Sequence, residues 1–429
     1  MMIVRSIYRG WIILGIAVIL FVLFSGIETA WGTTILCLQQ DEDFLNAPLA
    51  LLGAPLALYY FSHFSVSNFI YKALSRVGHL SLRQVAALGI SLMVLGLFLT
   101  SFANSAYSVT ISYGLISGSG NELFSLSMYL VIARWFPWTH DYHVFTTSAL
   151  SAILPLGTSI VNNVNAQMCA DPSLGWQWAF RLYAAIFGFL GLLLILLFGN
   201  PPMTLSENDC SPTNKESNFV HPWSKCSKVT IHGIWSIAIF CKGYSYFLPF
   251  VILPKHLTDL GYQENEAEYV MTFLGIMGVV GQTFSSWIGD RLKGNLLLVN
   301  LVAASLLTVN NIVAVYWTTL TAAFVYSAVT GLGFGPYNAG YYAINYEIMD
   351  GENVDTLFMT MRFSKGIGAA VGPYLAGHVR DVTGSYYVVF ISIAACLGLF
   401  DLATFFLVCV KKFRKIDSLE LMKNSSSAE

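Results

Sequence analysis

Twelve apolar runs, each about long enough to cross a bilayer, alternate with short polar connections along the chain. They cover 11–36, 49–70, 84–104, 107–133, 144–168, 178–199, 230–253, 268–289, 295–316, 319–346, 357–379 and 385–410. A helix needs roughly 20 apolar residues to span the hydrocarbon layer, so the pattern predicts twelve transmembrane helices. Only one polar stretch is long enough to be a linker. Residues 200–229 hold Pro201, Pro202, Glu207, Asp209, Pro212, Lys215, Glu216, Pro222, Lys225 and Lys228 without apolar periodicity. This linker divides the chain into 1–199 and 230–410, six runs each, with a tail at 411–429. The expected fold class is an all-α polytopic membrane protein made of two six-helix bundles.

Composition agrees. The chain is 55% hydrophobic and 11% charged, with mean hydropathy +0.63, and a soluble globule needs more polar surface than that. With the amino terminus placed in the cytoplasm, the inner segments hold sixteen of the 22 basic residues, among them Arg5, Arg9, Arg76, Arg134, Arg291, Lys293, Lys411 and Lys412. The outer segments hold Arg181, Lys255 and Arg380. Basic residues accumulate on the cytoplasmic side, so both termini are expected there. A plasma membrane is the default setting, with an internal organelle as the alternative. The first run is too long for a signal-peptide core and lacks a small-residue cleavage site, so it is expected to be retained. A net charge of −2 gives no reason to expect a nucleic-acid partner. The seven cysteines show no metal spacing, and no metal or cofactor is expected. Cys37 and Cys169 lie near the outer ends of spans one and five; they pair if those ends meet and are otherwise unrelated thiols.

Two internal echoes support a repeat. The connection after span two reads Ala73-Leu74-Ser75-Arg76-Val77-Gly78-His79, and that after span eight reads Ile288-Gly289-Asp290-Arg291-Leu292-Lys293-Gly294. Such repeats usually mean two bundles rocking around a central site. Small-xxx-small pairs at Gly114/Gly118 and Gly368/Gly372, and Gly275, Gly278 and Gly281, predict close helix packing. Gly331-Leu332-Gly333-Phe334-Gly335-Pro336 should weaken or kink span ten, as packing surface or as hinge.

The twelve-run plan, with Asp290-Arg291-x-x-Gly294 after span eight, resembles the major facilitator superfamily. Residues 372–387, Gly-Pro-Tyr-Leu-Ala-Gly-His-Val-Arg-Asp-Val-Thr-Gly-Ser-Tyr-Tyr, are similar to the span-eleven passage of the monocarboxylate transporters. Tyr113–Gly120, running on to Arg134-Trp135-Phe136, and Gly175–Phe180 also resemble that family. The resemblance implies a secondary transporter with alternating access. It assigns Asp290 and Arg291 to a cytoplasmic gate, with Arg76 as first-half partner, although Ser75 replaces the expected Asp. Proton-coupled lactate carriers of the family have a lysine in span one and an Asp/Arg pair in span eight. Here the first falls at Glu28 or Thr29, and the second at Gly278 and Gln282. Simple proton–lactate symport is therefore in doubt. Other members carry aromatic amino acids, iodothyronines or other small metabolites, and the resemblance leaves an accessory single-span chaperone open.

An ionisable group in a span is expensive, on the order of 2.5–3.5 kcal/mol on insertion scales, and by default suggests a functional site. Glu28, Glu122, Lys242 and Glu347 lie in spans one, four, seven and ten, and Lys365 in span eleven. These five are the candidate substrate or proton-binding residues. Lys242 or Lys365 would hold a carboxylate, and Glu28 or Glu122 a proton or a substrate amine. Lys242 could instead neutralise Glu122, which would favour facilitated diffusion. Glu347 also reads as part of an exposed acidic turn with Asp350, Glu352 and Asp355, to which Arg362 could close a cytoplasmic gate. Asp401 and His63 read as helix–helix contacts. Rings at Tyr59, Tyr60, Tyr246, Phe247, Tyr337 and Tyr341 could surround an organic substrate or simply pack.

The reading that emerges is a transporter for a small organic anion or zwitterion, with protons as the candidate coupling ion. A non-transporting sensor or scaffold of the same fold is the alternative. No enzyme is expected: Trp138–His143 is the one compact His/Asp cluster and has no nucleophile or metal set beside it. A phosphate-binding loop for ATP is also lacking.

Overall fold

The computed structural model describes residues 2–45, 47–66, 81–152, 154–171, 174–198, 228–338, 340–349 and 353–426. Each expected span appears as helix. Span one is Met2–Thr29, continued by Trp31–Leu38. Span two is Leu49–Phe61, running into a wide π-type turn at Ser62–Val66. Spans three to six are Leu82–Thr100; Ala106–Val109 continuing to Gly118–Trp135; His143–Ala152 with Leu154–Ala170; and Gly175–Leu197. Spans seven to nine are Lys228–Asp259, Glu264–Gly289 and Leu296–Ala314. Span ten is split into Leu320–Asn338 and Ala343–Met349; spans eleven and twelve are Val354–Thr383 and Tyr387–Ser426. Arg76 and residues 200–227 of the expected linker lie outside the described residues.

Local chemistry starts several of these helices. Ser81 and Gln84 form a reciprocal capping box at span three: the Gln84 amide donates to Ser81 Oγ and the Ser81 amide to Gln84 Oε1. Ser105 and Ser108 repeat the device at span four, and Gln263 and Glu266 at span eight. Span ten ends where Pro336 and Gly340 (φ +66°) interrupt the regular ladder. The helix runs through the Gly–Pro passage to Asn338, and the interruption follows just beyond it, before Ala343.

Among the described residues, six helices are by themselves long and apolar enough to cross a membrane: parts of spans one, three, six, eight, nine and twelve. The other spans carry charge, polar residues or interruptions, and most of the site described below is built on them. Spans seven and eleven pack closely because neither presents a side chain at the crossing. A Cβ on Gly243 would collide with the Lys365 carbonyl, and one on Gly368 with the Phe240 carbonyl. Between the two halves of the sequence, span two packs on span eleven, and span five on span eight.

Cys37 and Cys169 do meet and form a disulfide, with their Cα atoms 5.7 Å apart. It joins the ends of Trp31–Leu38 and span five. Asn165 continues the clamp: its amide donates to Thr34 Oγ1 (3.1 Å) and its oxygen accepts from the Tyr183 hydroxyl (2.6 Å). Asp41 accepts from Trp176 Nε1 (2.8 Å) and Gln177 Nε2 (3.0 Å), holding the first connection to span six. Cys169→Ser is expected to lower stability by about 2–4 kcal/mol by releasing this cross-link. A thermal unfolding midpoint in detergent that stayed at the native value would contradict that role.

Candidate functional site

A buried ion pair joins the two halves. Glu122, fully buried on span four, receives the guanidinium of Arg362 from span eleven, itself 3% exposed. Arg362 Nε donates to Oε1 at 2.8 Å while Nη2 donates to Oε2, a two-pronged fit of planar fork to carboxylate. Nη2 also donates to Ser125 Oγ (2.8 Å), and Ser125 donates back to Glu122 Oε2 (3.2 Å). His63 Nδ1 stands 3.7 Å from the same oxygen. The π-type turn at Ser62–Val66 sets both His63 and Phe64 at this point, and such bulges are frequent at functional sites. Phe64, Tyr129 and Phe358 place their rings 5.5–5.8 Å from the guanidinium carbon.

Beside the pair lie groups whose bonding is incomplete. Glu28 on span one is 6% exposed, and its Oε2 is buried without a hydrogen-bond partner. The cations that act on it are Lys365 and Arg362. Lys365 points its ammonium at rings: Tyr341 at 5.0 Å, Tyr246 at 5.2 Å, Phe247 at 5.7 Å and Phe64 at 5.9 Å. Among the described residues, no carboxylate lies within ion-pair distance of it. The Tyr341 hydroxyl is likewise buried and unpartnered. Tyr60 and Phe247 meet at a tilt from opposite halves, with centroids 5.2 Å apart. An acceptor, a hydroxyl and an ammonium are thus gathered among aromatic rings, a set of groups that matches the chemistry of a small molecule with a charged end.

At the face carrying both chain ends, a second set of contacts joins the halves. Asp290, at the end of span eight, accepts from the Val144 amide (2.8 Å) and the Phe145 amide (3.0 Å). Its charge thus sits on the positive end of the helix that opens span five. Lys293 bonds Asp290 (3.1 Å) and the carbonyls of His140 (2.5 Å) and Trp138 (3.3 Å). Trp138 stacks on Tyr346 at 4.7 Å, and the Gly340 amide donates to Ser148 Oγ (2.8 Å). Contacts from span eight and both parts of span ten to the segment 138–148 make this a seam between the halves.

Several residues stand elsewhere than the sequence suggests. Arg362 does not reach the acidic turn, because it lies well inside span eleven and Glu122 takes it; Asp355 instead accepts from the Tyr342 hydroxyl (2.7 Å). Lys242 does not neutralise Glu122: its Nζ donates to the Tyr337 carbonyl. Glu347 is buried rather than exposed, and accepts from the Gly294 amide (2.6 Å), the Leu296 amide (3.2 Å) and Lys411 (2.8 Å). It braces span ten, the connection after span eight and the start of the tail, away from Glu28 and Lys365. Arg291 is exposed over the Trp287 ring (5.3 Å) and stays out of the seam, where Lys293 takes its place. Asp401 accepts from Thr308 (3.0 Å), a contact between spans nine and twelve. The sequence reading missed Ser125 and Lys293, and its only available signal was their spacing of three from Glu122 and Asp290.

The sequence pattern of the Major Facilitator Superfamily matches residues 10–373 and 235–423. Monocarboxylate transporter 13 of Rattus norvegicus is 25% identical over 323 residues, covering 73% of this chain and 71% of that protein. Monocarboxylate transporter 10 of Homo sapiens is 21% identical over 407 residues, covering 89% of this chain and 74% of that one. Among solved structures, the transporter FucP in its outward conformation superposes with TM-score 0.65 at 14% identity, over 93% of this chain and 99% of FucP. A double-Trp mutant of XylE gives TM-score 0.70 at 12% identity, over 95% and 99% of the two chains. At such identities the structural likeness speaks to the fold alone.

Glu122→Gln and Arg362→Gln each leave a buried group unpaired and are expected to cost about 3–5 kcal/mol. The double variant should lose clearly less than the sum, since the two residues share one interaction. Losses in unfolding free energy that simply add would contradict a direct pair.

Proposed function

From the premise that the chain belongs to the Major Facilitator Superfamily, we propose that its cargo is a small organic anion or zwitterion held between Glu28 and Lys365. The protein is a multi-pass integral membrane protein and a secondary transporter, not an enzyme. The observation that carries the substrate reading is the buried Glu28 oxygen without a partner, in the field of an ammonium that faces aromatic rings and, among the described residues, has no carboxylate within ion-pair distance. A substrate carboxylate would meet Lys365, its apolar or aromatic part the Tyr246, Phe247 and Tyr341 rings, and an amine or a proton Glu28. The names of the relatives as monocarboxylate transporters support an acid as cargo.

In the proposed cycle the bundles 1–199 and 230–410 rock about this site, tethered by the linker 200–229. The Asp290–Lys293 seam closes the face with the chain ends, and its release would open that side. Glu28 is the better candidate proton carrier, because Glu122 is already neutralised by Arg362. The excess of basic residues on the side of the chain ends supports both termini being cytoplasmic. The Cys37–Cys169 bond on the opposite face supports this, since disulfides persist on the oxidising side. We place the protein in the plasma membrane.

Uptake into proteoliposomes tests the reading with L-lactate, pyruvate, L-phenylalanine, L-leucine and octanoate, each with and without an inward proton gradient. Lys365→Met should raise the half-saturation concentration by about tenfold or more, the loss of one charge-assisted bond. Glu28→Gln should abolish any stimulation by the gradient. Native half-saturation in Lys365→Met would remove the anion site, and gradient stimulation surviving in Glu28→Gln would move the proton elsewhere.

A further inference from the structure

Among the described residues, Lys242 is the buried candidate cation that neither the site nor the seam uses. It is 1% exposed on span seven, and among the described residues no carboxylate stands within ion-pair distance. Its ammonium faces the rings of Tyr337 at 4.3 Å, Phe400 at 5.6 Å and Tyr341 at 5.9 Å. Its hydrogen bond goes to a backbone oxygen, that of Tyr337, in the last turn of Leu320–Asn338. The carbonyls of a last helical turn have no amide one turn further on to bond them. In a membrane, where water is absent, such a group needs a partner from elsewhere in the protein.

Asn300 on span nine completes the arrangement. Its amide donates to the same Tyr337 carbonyl (2.7 Å) and to that of Pro336 (3.1 Å), and Asn300 is itself fully buried. Ser245 lies 3.4 Å from the Tyr337 hydroxyl, so the residue is held at both its backbone and its ring. Immediately beyond, the Gly340 amide bonds Ser148 of span five, across the seam. One residue further on, the Tyr341 ring stands over Lys365.

We infer that Lys242 is a positioning residue for transport: with Asn300 it pins the broken end of span ten, so that the seam contact at Gly340 and the site contact at Tyr341 move together. The inference rests on the alternating-access reading, not on which acid is carried. Lys242 does not touch the substrate. It fixes the point about which Gly340 and Tyr341 turn when the Ser148–Gly340 contact parts, and so governs the rate of that step rather than the affinity of the site.

Hydrogen–deuterium exchange on the full chain in nanodiscs tests the pin without any substrate. Lys242→Met and Asn300→Leu should each speed exchange in peptides covering 334–349 by about tenfold, as expected when a local opening is eased. Lys242→Arg, which keeps a donor and a charge, should restore native exchange. In uptake of whichever panel acid the native protein carries, the first two variants should lower the maximal rate about tenfold with half-saturation nearly unchanged. Native exchange in both Lys242→Met and Asn300→Leu would overturn the inference. So would a tenfold rise in half-saturation confined to Lys242→Met with native exchange, which would make Lys242 a substrate ligand. Asn300→Leu and Lys242→Arg carry the same test if Lys242→Met fails to fold. A protein that carried no panel acid would count against the cargo reading alone, because the exchange result stands independently.

Discussion

A full charge inside a bilayer must be answered by another charge, a dipole or a substrate, and this constraint organises the whole protein. The Glu122–Arg362 pair is the most complete answer. Both ends of the carboxylate and two guanidinium nitrogens are bonded, and Ser125 takes up a remaining donor–acceptor position. Because the partners come from spans four and eleven, the same bonds that make the charges tolerable also tie one half of the molecule to the other. Asp290 answers its charge with the end of a helix, and Lys242 with a carbonyl and aromatic faces. Lys365 and Glu28 are the least completely answered, which is why the substrate is proposed there.

The division of labour among the helices follows from the same constraint. Spans three, six, nine and twelve are each apolar enough to face lipid without interruption. Spans two and four bear π-type turns at Ser62–Val66 and Thr110–Ser117, span ten the break, and spans one, four, seven and eleven buried charges. A backbone that leaves its regular ladder in lipid loses bonds it cannot replace from water, so irregular segments belong inside, against other helices. The break in span ten shows how this is met: Lys242 and Asn300 supply the donors that the helix no longer supplies to Tyr337.

Much of the architecture was legible in the residues alone. The apolar runs marked the spans, the Gly–Pro passage marked a weak point in span ten, and charges within the spans picked out Glu28, Glu122, Lys242, Glu347 and Lys365 as candidates. What the sequence could not supply was which charge meets which. Arg362 sits eight residues into a helix that starts at Val354, about 12 Å along its axis at 1.5 Å per residue. That depth takes it past the acidic turn and level with Glu122, while the apolar run alone put it near a helix end. Lys242 has the right charge for Glu122 but reaches span ten first. Asp290 was legible as a gate residue, yet its partners are the backbone amides of Val144 and Phe145, which carry no residue-type signature. Cys37 and Cys169 were two thiols until the ends of spans one and five were placed together.

The central claim is that the buried Glu122–Arg362 pair ties the two halves together and, with the Asp290–Lys293 seam, keeps them close at the face of the chain ends. Spin labels at Tyr142 and Lys412, both exposed and on opposite halves, report that relation in nanodiscs by pulsed electron–electron distance measurement. The account predicts one short-distance population for the native protein and an added longer-distance population for Glu122→Gln, as the unpaired bundles part. Identical distance distributions in the two proteins would contradict it.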